Sequence, residues 1–356
     1  MAPRSAEELR SMGQMDPRLK EVTRLPQVSD LTPRRSHNLI DSQMLESDPL
    51  PKPPPGSDFF ALREHRAAML REKHHLRYLP GPIKEVAEHD RKIPVPGGSE
   101  ITVRIYQPEE SRVPARGSPL IVMYHEGGWS MGDLTDEETN CRLFSRDLGA
   151  VCVNVEYSQA AENASSLGAA PQAGFIVGGG SAGGNIAAVL AHLARDQKLD
   201  PPLTGQYLCV PAITCLMPPE EIPEQYRAEY LSHPSVTPSV DPVLQPDSRN
   251  PRGIVKVVGA DVNNPLFVPF LYRNKPSGHK GLPPAYFQVC GLDPLRDEAL
   301  IYDRVLREEA GVDTKVDVYP GLGHYFWTNF PLLDASKQFV EDTVKGVGWL
   351  LKYSSK

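Results

Sequence analysis

Apolar and polar positions keep different rhythms along this chain, and the changes of rhythm mark its elements. Ile101, Val103 and Ile105 alternate with polar or amphipathic neighbours, the period-two pattern of a half-buried strand. Residues 120–125 (LIVMYH) and 150–157 (AVCVNVEY) are more continuously apolar, as in strands covered on both faces. A helix over about 137–148 is expected between them. There follow a short strand at 174–179, an alanine-rich helix at 182–195 and strands at 207–212 and 285–291. A helix at 297–310, a strand at 314–319 and a helix at 334–352 complete the pattern. Strands alternating with helices of this length predict an α/β fold: a mostly parallel sheet flanked by helices.

Two stretches break that rhythm. Up to about Pro80 there is no strand pattern: residues 6–12 are weakly helical, residues 25–55 are polar and proline-punctuated, and Ser57 can cap a helix running to about Leu79. Such a front end cannot bury itself and is expected to lie across something else. Residues 214–264 form a proline-rich insert with one short helical piece at 223–231. Inserts at the strand ends of an open sheet commonly build the wall of a site.

Composition narrows the class. The 356 residues carry a net charge of −7, so no global field favours a nucleic acid or an anionic membrane. Glycine (28) and proline (36) are numerous but stay below the roughly 25% expected of a chain that cannot fold. Five scattered cysteines lack the short spacing of a zinc site and read as free, mostly buried thiols in a reducing compartment. The N-terminus lacks the apolar run of a signal peptide, and no stretch approaches the ~18 apolar residues of a membrane span. A cytoplasmic protein is expected, with no membrane span and no nucleic-acid partner; association into a homodimer stays open.

The strongest local signal is FIVGGGSAGGNIAAVLAHLA, beginning at Phe175. Gly178, Gly180 and Gly183 fit the G-x-G-x-x-G of a dinucleotide site. Against that, the turn lies deep in the chain, and the next strand, QYLCVPA, ends without an acid for a ribose. The competing reading is G-x-S-x-G, with Gly179, Ser181 and Gly183. A nucleophile elbow is a very tight strand–turn–helix that holds its serine in a strained conformation above the sheet, and flanking side chains larger than glycine would collide.

A serine hydroxyl needs a base and an acid farther along the chain. His324, in the loop GLGHYFW after a strand, is better placed than His279, which has no preceding strand. Asp293 follows the strand AYFQVCG at its carboxyl end, although a role in capping the next helix would also explain it. Asp297 is the rival carboxylate. Oxyanion donors would come from the N–H of Ala182 and from Gly127 and Gly128 in YHEGGW. His125-Glu126 suggests zinc, but Trp129 stands where a metalloprotease helix needs histidine, so neither a metal nor an organic cofactor is implied.

These pieces together resemble the hormone-sensitive-lipase-like branch of α/β-hydrolases, especially its fungal esterases. The likeness runs from EELRSMGQMDP to the C-terminal helix and is most specific in GGSAGGN, CGLDPLRDEALIY and YPGLGHYFW. It implies Ser181 as nucleophile, Asp293 as acid, His324 as base, and Gly127, Gly128 and Ala182 as oxyanion donors. It also implies an N-terminal lid over residues 1–80 and a catalytic domain over 81–356 with a cap insert at about 214–264. The activity implied is cleavage of a small to medium acyl or acetyl ester, in fungal relatives as a tailoring step of polyketide or other secondary metabolism. A lactone or thioester hydrolase, or an impaired, non-catalytic small-molecule binder, is the alternative.

Three departures from the family pattern stand out. Glu126 replaces the first glycine of HGGG, where a carboxylate is expected to oppose charge growing on the carbonyl oxygen. The E-Y-R-L-A-P-E continuation is reduced to Glu156-Tyr157-Ser158. The stretch from Glu156 to Gly174 is barely adequate for the dozen or so residues of a parallel crossover, so a flanking helix is expected to be shortened or missing.

Overall fold

The structure is a computed structural model that describes residues 3–23, 68, 81–94, 100–156, 169–253, 255 and 258–352. The helix expected to end near Leu79, the polar stretch 25–55 and crossover residues 157–168 lie outside the described residues.

Strands β1 (Val86–Pro94), β2 (Glu100–Pro108), β3 (Leu120–Tyr124), β4 (Val151–Val155), β5 (Phe175–Gly180), β6 (Gly205–Cys209), β7 (Ala285–Cys290) and β8 (Thr314–Tyr319) form one sheet. Their spatial order is β1-β2-β4-β3-β5-β6-β7-β8. β2 is antiparallel to both β1 and β4; every pair from β4 to β8 is parallel. The expected α/β architecture is the observed one.

Period-two alternation explains how two cores share one sheet. Leu120, Val122 and Tyr124 face one core with Val153, Val177, Leu208 and Phe287. Ile121 and Met123 face the other with Cys152, Ile176, Tyr207 and Tyr286. Four main helices are α3 (Glu138–Leu148), α4 (Ala182–Asp196), α5 (Arg296–Arg304) and α6 (Asp334–Leu351). Ala187, Ala188 and Ala191 of α4 and Leu300 of α5 close the first core; Phe144 of α3 and Val347 and Leu350 of α6 close the second. All five cysteines are free and buried, and burial pushes the thiols of Cys141, Cys209, Cys215 and Cys290 well above their ordinary range.

The front end packs where the sequence left it open. Helices α1 (Ala6–Met12) and α2 (Pro17–Val22) are capped by Ser5 and Asp16 and bury Leu9, Leu19 and Val22. The N–H of Gly321 donates to the Met12 carbonyl, and that of Asp16 to the Gly321 carbonyl, both at 2.8 Å. This segment is thereby fastened to the loop that carries His324.

Several boundaries differ from expectation. β1 is an edge strand whose outward residues are charged, so it lacks an apolar alternation. β6 ends at Cys209 because the chain turns at Val210 (φ 37°) and delivers the Ala212 N–H to the Ser181 carbonyl. The helix expected at 223–231 shrinks to one turn, Glu224–Arg227, and the N–H groups of Leu231 and Ser232 go to the Asp297 carboxylate instead of to a further helical turn. The helix expected at 297–310 changes to a π-helical turn at Val305–Glu309. Between β4 and β5 the described residues hold only a 3-10 turn, Pro171–Ala173. Among the described residues no helix is long and apolar enough to cross a membrane.

Candidate active site

The carboxyl ends of β3, β5, β7 and β8 meet at one place, and the loops leaving them carry the candidate residues. β5 runs directly into α4 through Ser181, which has φ 52° and ψ −112°. A non-glycine residue held there costs on the order of 1–3 kcal/mol, a strain this tight turn imposes. Glycine is needed on both sides: a Cβ on Gly179 would lie 2.3 Å from the Tyr124 carbonyl oxygen, and one on Gly183 only 1.9 Å from it. α4 therefore starts against β3, with Ala182 as its first residue and its N-terminal N–H groups without intrahelical partners.

His324 and Asp293 come together across two loops. His324 Nδ1 and Asp293 Oδ2 lie 2.7 Å apart, with the two residues 6% and 1% exposed. Asp293 Oδ1 accepts the Leu295 N–H at 2.8 Å, which shapes the turn ahead of α5, a helix without a side-chain cap. Asp297 is elsewhere engaged: it pairs with the buried Arg296 guanidinium and accepts the N–H groups of Leu231 and Ser232 at 2.7 and 2.6 Å. It pins the insert to α5. His279 is bound to His192 of α4, Nδ1 to Nε2 at 2.9 Å, and burial pushes both imidazoles down to about 3.

The loop after β3 supplies the opposite wall. Gly127 and Gly128 have φ of 118° and 59°, conformations that favour glycine. The Gly127 carbonyl accepts the Met131 N–H at 2.8 Å, which folds the loop back on itself. Asn185 of α4 braces it: its carboxamide accepts from Trp129 Nε1 and donates to the carbonyls of Ala212 and Phe267. Ser181, His324, Gly127 and Gly128 all border a cavity of about 470 Å³. Its remaining wall is largely apolar and comes from the insert, with Cys215, Leu216, Val243, Leu244 and Val255 among its residues.

Two buried acids escaped sequence reasoning. Asp241, in the insert, accepts the backbone N–H of His324 at 2.5 Å and those of Val243 and Leu244 at 2.8 and 3.1 Å. Burial, with the Asp293 charge second, raises its carboxyl to about 6. The motif SVDPVL does read as an Asx turn, but nothing in it points to a histidine 83 residues on. Glu137, at the N-terminus of α3, accepts from Asn140 Nδ2 at 2.8 Å and from the Gly180 N–H beneath the elbow. Burial first, then Asp136, raises it to about 8.

Glu126 is 3% exposed and borders the cavity. Burial, followed by the charges of Asp136 and Glu137, pushes its carboxyl well above the ordinary range.

Comparison with known proteins bears on the family and the fold. A family described as having the alpha/beta hydrolase fold matches residues 121–328. An AB hydrolase superfamily protein of Schizosaccharomyces pombe is 36% identical over 307 residues, covering 78% of this chain and 84% of the relative. The versiconal hemiacetal acetate esterase of Dothistroma septosporum is 35% identical over 271 residues, covering 70% and 78%. Among solved structures, vibralactone cyclase superposes with a TM-score of 0.77 at 28% identity, covering 97% of both chains.

Proposed function

We infer that this chain, which belongs to the α/β-hydrolase family, is a serine-dependent carboxylic ester hydrolase whose nucleophile is Ser181. The observation that carries the reading is the 2.7 Å hydrogen bond between His324 Nδ1 and Asp293 Oδ2, facing the same cavity as a serine in strained elbow geometry. With Nδ1–H donated to Asp293, the other imidazole nitrogen is left basic. It takes the proton as Ser181 Oγ attacks the ester carbonyl. The N–H groups of Gly127, Gly128 and Ala182 meet the charge that grows on the carbonyl oxygen. His324 then returns the proton to the leaving alcohol, and water repeats the sequence on the acyl-enzyme.

The substrate we assign is a small to medium acyl or acetyl ester, since a cavity of about 470 Å³ with a largely apolar wall suits a compact acyl group. The relative from D. septosporum, named as an acetate esterase, supports a tailoring role in fungal secondary metabolism. The likeness to vibralactone cyclase supports a second substrate class, lactones handled by the same acyl chemistry. Residues 1–80 and 214–264 act as lid and cap in this reading, and five unpaired cysteines support a cytoplasmic location. Ser181→Ala should lower turnover of 4-nitrophenyl acetate by at least ~10³-fold without unfolding the protein. Equal turnover by wild type and S181A, purified from an esterase-deficient host, would overturn the assignment.

A further inference from the structure

Gly180 is the last residue of β5 and stands directly before Ser181, yet its backbone asks for no glycine, since its φ is not positive. At Gly179 and Gly183 the atoms that forbid a side chain belong to the backbone. At Gly180 they belong to another side chain. A Cβ there would overlap the hydroxyl oxygen of Tyr325 and lie 2.8 Å from its Cζ, with Glu137 Oε1 next at an ordinary 3.6 Å. The tip of Tyr325 therefore occupies the space that a side chain at 180 would take.

Tyr325 has little freedom to give way. It is 7% exposed and follows His324 directly in the chain, with φ 56° and ψ 31°, a left-handed conformation uncommon for a tyrosine. Its carbonyl accepts the Asn329 N–H at 3.1 Å and Asn329 Nδ2 at 2.8 Å. Its ring lies 4.9 Å from the His324 imidazole, edge to face, and 4.6 Å from the ring of Trp327. Trp327 in turn stacks on Phe339 of α6 at 3.7 Å, so the phenol cannot swing without disturbing the core behind it. The hydroxyl is buried and, among the described residues, has no hydrogen-bond partner. Packing rather than hydrogen bonding sets its place, because a phenol free to turn would carry its oxygen to an acceptor or to water.

We propose that Tyr325 is a positioning residue: its tip seats in the side-chain space left by Gly180 and so keeps His324 within reach of Ser181. The inference rests on the serine-hydrolase reading above. The nucleophile follows Gly180 and the base precedes Tyr325, so this one contact ties together the two loops that must exchange a proton. The residues form a complementary pair, the one small because the other reaches into its place. A displacement of about 1 Å between reacting groups can cost on the order of 10²-fold.

The test is a substitution cycle on 4-nitrophenyl acetate, each variant assayed well below its Tm. Gly180→Ala should lower kcat by roughly 30–100-fold with KM changed less than about 3-fold, because the added methyl pushes Tyr325 and, with it, His324. The same substitution should cost less than about 10-fold in a Y325F background, which removes the overlapping oxygen, and less than about 3-fold in a Y325A background, which removes the ring. A glycine needed for its backbone alone would show one cost in all three backgrounds. An equal cost of G180A in wild type and in Y325F overturns the proposal, and this arm decides the matter if Y325A fails to fold. A G180A protein as active as wild type, or one whose loss lies wholly in KM, also overturns it. Should G180A itself fail to fold, recovery of folded, active protein in G180A/Y325F supports the pairing and its absence overturns it. Labelling by a serine-directed phosphonate separates the two levels: wild type labelled at Ser181 with no coupling between 180 and 325 rejects the pairing alone, whereas wild type unlabelled at Ser181 rejects the hydrolase reading and the pairing with it.

Discussion

Buried carboxyl groups flank the cavity on two sides, and the protein treats them in opposite ways. On the histidine side, Asp293 and Asp241 are each surrounded by donors: the imidazole and the Leu295 N–H for one, three backbone N–H groups for the other. On the oxyanion side, Glu126 is buried at the cavity wall, Asp136 is half-buried, and Glu137 has an amide and one backbone N–H. Asp241 and Glu137 are both buried, yet Asp241 is raised only to about 6 while Glu137 reaches about 8. The supply of N–H donors, more than depth, sets whether a buried acid can hold charge. Donors are thus gathered around the acids next to the imidazole and are fewer around those next to Gly127 and Gly128.

The sharpest way to break this comparison is to remove the charge where it should matter most. Asp293→Asn should reduce kcat by about 10²–10⁴-fold while the fold survives, because the amide imposes the wrong imidazole tautomer. Asp297→Asn is the control: kcat should change little, and the loss should appear as lowered Tm because a buried Arg296 is left without its carboxylate. The reverse ranking in steady-state assays would move the acid to Asp297.

A smaller effect is expected at Asp241, which acts on the histidine only through its backbone. Asp241→Ala should lower kcat by roughly 10-fold, the cost of loosening the loop at Gly323–His324. Asp241→Asn, which keeps one carbonyl acceptor, should recover part of it. Equal kcat in wild type and D241A would show that the insert does not hold the histidine.

The smallest effect concerns stability on the oxyanion side. Glu137 is raised from 4.5 to about 8, so its contribution is fully present below pH 4.5 and is lost as pH rises through about 8. Wild type should therefore lose Tm between pH 6 and pH 9, and Glu137→Gln should shrink that loss by a few degrees. Unchanged pH dependence in E137Q, followed by thermal denaturation, would remove Glu137 from the cluster's electrostatics.

How much of this was legible in the sequence follows from the range of the physics. Strands β3, β4, β5 and β7 announced themselves because burial on both faces forces continuous apolar runs, whereas β8, at the far edge of the sheet, showed itself by the alternation in TKVDVY. β1 did not, because an edge strand carries charge outward and its pairing is fixed by β2. Ser181, Asp293 and His324 were legible through strand-end position and local glycine requirements; that Ser181 and His324 border one cavity, with Asp293 behind the imidazole, needed the fold. Asp241 was illegible because an Asx turn looks the same whether or not a distant N–H reaches it. The burial of Glu126 was illegible for a related reason, since the residues that enclose it come from distant parts of the chain. The curtailed helix after Pro223 likewise reflects a distant carboxylate, Asp297, that takes the next N–H groups, which propensity does not register.

The five enclosed cysteines have a consequence of another kind. Sulfhydryl reagents react with thiolate at a surface, and this molecule offers neither in its native form, since the sulfurs are buried and four of the thiols are held protonated by their surroundings. Every modification event therefore records a moment when part of the molecule has opened. Cys141, Cys152, Cys209 and Cys290 belong to the core on one face of the sheet, whereas Cys215 borders the cavity and belongs to the insert. The chain carries its own stopwatch: the pace at which Cys215 is capped measures the breathing of the roof, and the pace of the other four measures the unlatching of the floor beneath it.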